Sequence, residues 1–291
     1  ISSGSVVLTF TAYGSNNMVD DLVLTFAAQA FAFAGGDAEA CENDVFILSN
    51  ADADNFTSLL WSTSGSGTFD DASSLHATYM PSEQDIQNGS VVLTLHADND
   101  SGCGEVSNQM TLSFVEQAQA NAGNAIQVCA GETAQLAGSA VHYSSLLWSS
   151  SGNGTFSDPA ILNPVYTPGE ADIAQGEVVL TLNAQGIGTC PDASSQLVLS
   201  INPLPTAVIS GNTSVCSGQS AELQIMLTGT PPWIVTTAFE SEGLLISETP
   251  YLLVVTPEET TTYKILSVSD ANLCSNTVVS EATVTVEHSP I

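Results

Sequence analysis

The sequence predicts an all-β chain of tandem sandwich modules arranged as an extended rod, and three observations carry that expectation. The words Trp61-Ser-Thr-Ser-Gly-Ser-Gly-Thr-Phe69 return as Trp148-Ser-Ser-Ser-Gly-Asn-Gly-Thr-Phe156, and an offset of 87 residues with the spelling intact marks an internal repeat. Six cysteines, Cys41, Cys103, Cys129, Cys190, Cys216 and Cys274, keep the same beat: 62, 61 and 58 residues apart within successive pairs and 26 between pairs. No helix-period apolar pattern is sustained, whereas Val/Leu/Thr runs suited to a half-buried pleat recur.

Residues 1–27 are expected to be the C-terminal hairpin of a preceding module. Ile1 to Phe10 aligns with Ile86 to Leu95 and Ile173 to Leu182, the penultimate strands of their repeats, and Leu22 to Phe26 aligns with the last strands, Met110 to Phe114 and Leu197 to Ile201. Residues 28–116 form the first full module. Ala30 to Gly35 alternates as an opening strand, Val45 to Leu48 gives the next, and Leu59-Leu60-Trp61 runs into the Gly-Ser-Gly hairpin. The glycines there are expected to supply the positive φ of a tight turn. Pro81 then starts a short helical turn that Asn88-Gly89 ends.

Residues 117–203 repeat this order. Residues 204–291 keep the cysteine frame in divergent wording, with Pro231-Pro232-Trp233 in place of the glycine hairpin and Thr260 to Asp270 as penultimate strand. The joints Val115 to Ala118 and Asn202 to Pro205 lack Gly/Ser runs, so each last strand is expected to pass almost directly into the next opening strand.

One cystine per module, Cys41 with Cys103, Cys129 with Cys190 and Cys216 with Cys274, is the pairing expected from the period. Closing a loop of roughly 60 residues is worth about 4 kcal/mol in chain-entropy terms, and such bonds persist outside the reducing cytosol. A tryptophan stands inside every pair, Trp61, Trp148 and Trp233. Immunoglobulin-type sandwiches mark their cores this way, so these indoles are expected to be packed rather than to serve as sugar-stacking platforms.

Charge narrows the partners. Thirty-one acidic side chains face one base, Lys264, for a net charge of −30. Nucleic acid and anionic membrane surfaces, which are bound by neutralising phosphate with Lys and Arg, are excluded as partners. No apolar run approaches the length of a membrane span, and no basic start leads into an apolar run. Calcium is the only cofactor the residues suggest: Asn50, Asp52 and Asp54 occupy alternate positions, and Asp98-Asn-Asp100 is a second oxygen-rich loop. Both resemble the opening of a calcium loop without its closing glutamate. His76, His96, His142 and His288 are scattered, and no nucleophile elbow or phosphate-cradling loop occurs. Adjacent carboxylates such as Asp20-Asp21 point to opposite faces of a strand, so no enzyme is expected.

The frame Ala-Gly, Cys, Trp-Ser-x-Ser-Gly-x-Gly-Thr-Phe, Tyr-x-Pro, Asp-Ile-x-x-Gly-x-Val-x-Leu-Thr-Leu, Cys resembles the PKD-like and immunoglobulin-like repeats of very large Bacteroidota surface proteins. That group includes adhesins of the gliding-motility type exported by the type 9 secretion system. The resemblance implies an extracellular, bacterial cell-surface segment acting as spacer or adhesive filament, with neighbouring repeats as its first partners and a surface polysaccharide or protein as ligand. The alternative it leaves open is the stalk or carbohydrate-binding accessory module of a secreted hydrolase.

With Lys264 its one basic residue, the reduced and denatured chain should yield just two tryptic pieces, 1–264 and 265–291. Mass spectrometry of the digest checks this, and further tryptic fragments would contradict the reading.

Overall fold

The computed structural model describes residues 4–16, 18–26, 28–99 and 104–287. The chain divides into two compact units, residues 1–119 with 140–145 and 184–193, and residues 120–139 with 146–183 and 194–291. Among the described residues no helix is long and apolar enough to cross a membrane.

The first unit opens with an antiparallel hairpin, Gly4–Ala12 against Met18–Phe26. It uses the register of the later pair Ser90–Asp98 and Val106–Val115: Leu8 faces Leu22 as Leu93 faces Met110. The two pairs differ in what covers them, for Leu8 is 51% exposed and Leu93 0%. The sandwich that follows has a four-stranded sheet in the order Ala38–Cys41, Val106–Val115, Ser90–Asp98, Ser58–Thr63. Two smaller sheets accompany it, Phe31–Phe33 with Asp52–Asp54, and Phe46–Ile47 with Thr78–Met80 and Thr68–Phe69. Strict alternation in Ser90–Asp98 sends Val91, Leu93, Leu95 and Ala97 into the core, where they meet Trp61, Tyr79 and Leu112. The tryptophan strand stands at the end of this sheet's strand order, not at its centre.

The second unit holds two further cores. Around Trp148 pack Ala134, Leu136, Tyr166, Val178, Leu180, Leu182 and the last-strand residues Leu197, Leu199 and Ile201. Around Trp233 pack Ile209, Leu223, Ile225, Val235, Ile265 and Val284. This last sandwich pairs a three-stranded sheet, Thr206–Ser210, Ala221–Thr228, Tyr251–Val255, with a five-stranded one that includes Thr213–Cys216, Ser275–Glu287 and Thr261–Ser269. Three residues separate Val106–Val115 from Gln119–Asn121, and three separate Ala193–Asn202 from Thr206–Ser210, as the short joints predict.

The Trp-Ser-x-Ser-Gly-x-Gly hairpin is fixed by a buried carboxylate. A six-residue helix, Glu83–Asn88, is capped by Ser82, whose Oγ accepts from Asp85 N, and ends on Gly89 at φ 78°. Asp85 turns back under the hairpin. Its Oδ1 accepts from Ser66 N at 2.9 Å, and its Oδ2 accepts from Gly67 N at 2.8 Å, Tyr79 Oη at 2.9 Å and Ser82 N at 3.0 Å. Asp172 does the same one repeat later, accepting from Asn153 N, Gly154 N, Tyr166 Oη and Gly169 N.

This cage corrects the expected role of the glycines. Gly65, Gly67, Gly152 and Gly154 are not among the positive-φ residues. They are required because a Cβ on Gly65 would lie 2.0 Å from Asp85 Oδ1 and one on Gly152 would lie 1.7 Å from Asp172 Oδ1. Space for the carboxylate at Gly65 and Gly152, and for the tyrosine hydroxyl and the Met80 or Thr167 carbonyl at Gly67 and Gly154, rather than backbone handedness, excludes a side chain there.

Burial pushes the Asp85 carboxyl up, but the donors from Ser82, Ser66 and Tyr79 outweigh it and bring the pKa from 3.8 down to about 2. Asp172 is lowered against the same burial by Gly169, Tyr166, Asn153 and Gly154. Because the folded pKa is depressed, the contribution is full above the unfolded value and is lost as pH falls from about 4 through about 2, amounting to about 2 kcal/mol for Asp85. Thermal melts between pH 7 and pH 2.5 should show this acid limb. Asp85→Asn, which places an amide NH2 or a single acceptor among four donors, should lower stability at pH 7 by about 2–4 kcal/mol and flatten the limb. An unchanged acid limb in the Asp85→Asn, Asp172→Asn double variant would refute the cage as its source.

Candidate functional site

The cysteines form the built chemistry of the chain. Cys41 ends the strand Ala38–Cys41, which pairs parallel with the last strand of its sandwich so that Cys41 lies beside Val115. Cys129 ends Ile126–Cys129 beside Asn202, and Cys216 ends Thr213–Cys216 beside Glu287, in the same parallel arrangement. Each is followed by the same turn: Asp44 N donates to Cys41 O, Glu132 N to Cys129 O and Gln219 N to Cys216 O, at 2.9, 2.9 and 3.0 Å. These three cysteines therefore sit at the C-terminal end of a last strand.

Cys190 and Cys274 sit at the other end, in the loop that leads into the last strand. The Cys190 loop is pinned by Asp192, whose Oδ1 accepts from Gly186 N at 2.9 Å. The Cys274 loop is pinned by the buried Asp270, which accepts from Asn272 N and Cys274 N on Oδ1 and from Thr230 N on Oδ2. Sequence reasoning missed both aspartates. Their signal was position, an acidic residue within four of each loop cysteine, but it is a faint one in so acidic a chain.

The bonds run Cys41 to Cys190 and Cys129 to Cys274, with Cα–Cα distances of 4.9 and 5.6 Å, and this overturns the expected pairing within modules. The reason is strand length. Cys190 precedes the last strand Ala193–Asn202 and Cys129 lies beside its far end, so the ten residues between hold the two cysteines about 30 Å apart. A disulfide tolerates at most about 7 Å between Cα atoms. The same holds for Cys216 and Cys274, separated by the 13-residue strand Ser275–Glu287. Cys41 and Cys129 instead each bond a loop cysteine of the following module. All four bonded cysteines are buried, while Cys216 is free and exposed. Cys103, expected to pair with Cys41, lies outside the described residues.

Among the described residues, the other sequence-derived candidates do not assemble a site. Trp61, Trp148 and Trp233 are 2, 2 and 3% exposed, and their Nε1 atoms donate to Leu75 O, Leu162 O and Thr228 O. No stacking platform is left open there. Asn50, Asp52, Asp54 and Asp98 are all exposed, and Asp54 is occupied in accepting from Asn55 N. The two oxygen-rich segments do adjoin, through Thr57 N to Asp98 O, yet no three Asp, Glu, His or Cys side chains among the described residues gather as a metal would require. Asp100 and His288 lie outside the described residues. His76 meets Leu48 O, His96 meets Ser62 Oγ and Glu105, and His142 meets Glu116.

No known family profile and no curated protein matches the sequence. Solved structures do match the fold. A three-immunoglobulin-domain piece of titin superposes with a TM-score of 0.52 at 15% identity, covering 89% of this chain and 98% of that one. The N-terminal eight immunoglobulin domains of the Down Syndrome Cell Adhesion Molecule give a TM-score of 0.52 at 11% identity, covering 92% of this chain and 38% of that one. At such identities the likeness speaks for fold alone, and it agrees with the strand order and buried indoles above: the chain is built of immunoglobulin-like β-sandwiches in tandem.

Proposed function

We propose that this chain is a non-enzymatic, load-bearing repeat segment of an extracellular bacterial surface adhesin, with module boundaries near residues 28, 117 and 204. The observation that carries the reading is the pair of cystines joining each sandwich to the next. A bond closed inside one sandwich protects that sandwich and leaves the joints to yield. Bonds between sandwiches carry tension past the joint. They also favour a compartment outside the reducing cytosol.

The charge of −30 fits a surface-exposed segment that repels its own copies and remains dispersed. With one Lys and no Arg, and only the His142–Glu116 contact of that kind across a boundary among the described residues, the covalent links take the main part in holding successive modules together. Adhesion to a polysaccharide or protein ligand, export by the type 9 route and service in gliding are the finer form of this proposal, supported by the repeat frame around Trp61 and Trp148.

Pulling single molecules by their two ends tests the mechanical part. Once unfolded, the oxidised chain can lengthen between its cystines only over the 61 residues from Cys129 to Cys190, whereas the reduced chain uses all 233 from Cys41 to Cys274. Reductant should therefore add about 60 nm of contour length, at roughly 3.5 Å per residue. An unchanged contour length would sink the load-bearing role.

A further inference from the structure

We infer that Cys216 is the first sulfur of a third inter-module disulfide, whose second sulfur comes from the loop before the last strand of a further immunoglobulin-like module. Cys216 is one of three copies of one position. Like Cys41 and Cys129 it closes a four-residue strand, lies beside the far end of the last strand, and accepts a hydrogen bond from the residue three positions on. The other two copies are both bonded, and both reach forward to the same loop of the next module, at sequence separations of 149 and 145. Both are buried, while Cys216 is exposed. A partner at the same separation from Cys216 would fall outside residues 1–291. The geometry that forbids pairing with Cys274 within the module leaves the forward direction as the one its two copies take.

In sequence, Cys103 stands three residues ahead of Val106–Val115, as Cys190 stands three residues ahead of Ala193–Asn202. Bond formation is thiol–disulfide exchange with an oxidant of the glutathione-disulfide class. The Cys216 thiolate attacks one sulfur of the oxidant, and one thiolate leaves. The loop cysteine's thiolate then attacks the Cys216 sulfur and expels the second. Two protein thiols lose two protons and two electrons, and the oxidant's S–S bond becomes two thiols.

A fusion of residues 1–291 followed directly by residues 32–291 of a second copy supplies the missing module. That junction keeps the spacing from Val115 to Ala120, because Glu287 stands beside Cys216 as Val115 stands beside Cys41. The fusion is folded in a glutathione redox buffer, alkylated, digested with pepsin and mapped by mass spectrometry. The expected product is Cys216 of the first copy bonded to Cys103 of the second, together with the Cys41–Cys190 and Cys129–Cys274 cross-links as the sign of native folding. Cys103→Ser in the second copy should return Cys216 to the alkylated fraction. Alkylated Cys216 in a fusion that carries the two native cross-links, or a Cys41–Cys103 bond, overturns the inference. The 291-residue chain alone gives an independent reading: native alkylation should modify Cys216 and spare Cys41, Cys129, Cys190 and Cys274, and protection of Cys216 there would also overturn it.

Discussion

A four-residue strand that pairs parallel with the far end of the last strand governs this architecture. The pairing continues past the cysteine, with Glu42 N donating to Val115 O and Ala130 N to Asn202 O, so strand-end cysteine and last strand are held together by the ladder. Loop cysteines lie where that last strand begins. A rigid strand of ten residues or more thus stands between Cys129 and Cys190 and between Cys216 and Cys274, and its length decides the covalent map before any question of reactivity arises. The neighbouring module is the place where both kinds of cysteine can meet.

The second constraint acts inside the sandwich. Asp85 and Asp172 sit at the third position of a short helix and collect four donors each, three from backbone N–H groups and one from a tyrosine hydroxyl. Burial pushes the phenols of Tyr79 and Tyr166 up, which keeps them as donors to the carboxylates. A carboxylate so placed joins hairpin, strand and helix in one network, and Gly65 and Gly152 clear the room it needs. The divergent module reaches its own fold without this device: Asp270 braces the Cys274 loop from within it and from Thr230.

Much of the fold was legible because it is written in local chemistry. The Val/Leu/Thr wording of residues 86–95 marked a half-buried strand, the repeated Trp and its offset marked the cores, and Pro81 with Asn88-Gly89 bracketed the helical turn. The cystine pairing was not legible from the period, since linking a module to itself and linking it to the next preserve that period equally well. What separates the two is a three-dimensional length, which emerges only when the parallel pairing of Ala38–Cys41 with the end of Val106–Val115 is known. The carboxylate cage escaped for a related reason. Asp85 lies 18 and 19 residues from the Gly67 and Ser66 amides it binds, and one acid among 31 carries no mark of being buried.

The two cystines interleave: Cys129 falls inside the span from Cys41 to Cys190, and Cys190 falls inside the span from Cys129 to Cys274. In covalent terms they are two nodes joined by three separate stretches of backbone, 41–129, 129–190 and 190–274. Severing any one of these stretches leaves the nodes connected through the other two. A protease that finds an exposed loop anywhere between Cys41 and Cys274 can therefore nick the chain once without parting it, a tolerance that cystines closed within single sandwiches would not confer on the joints.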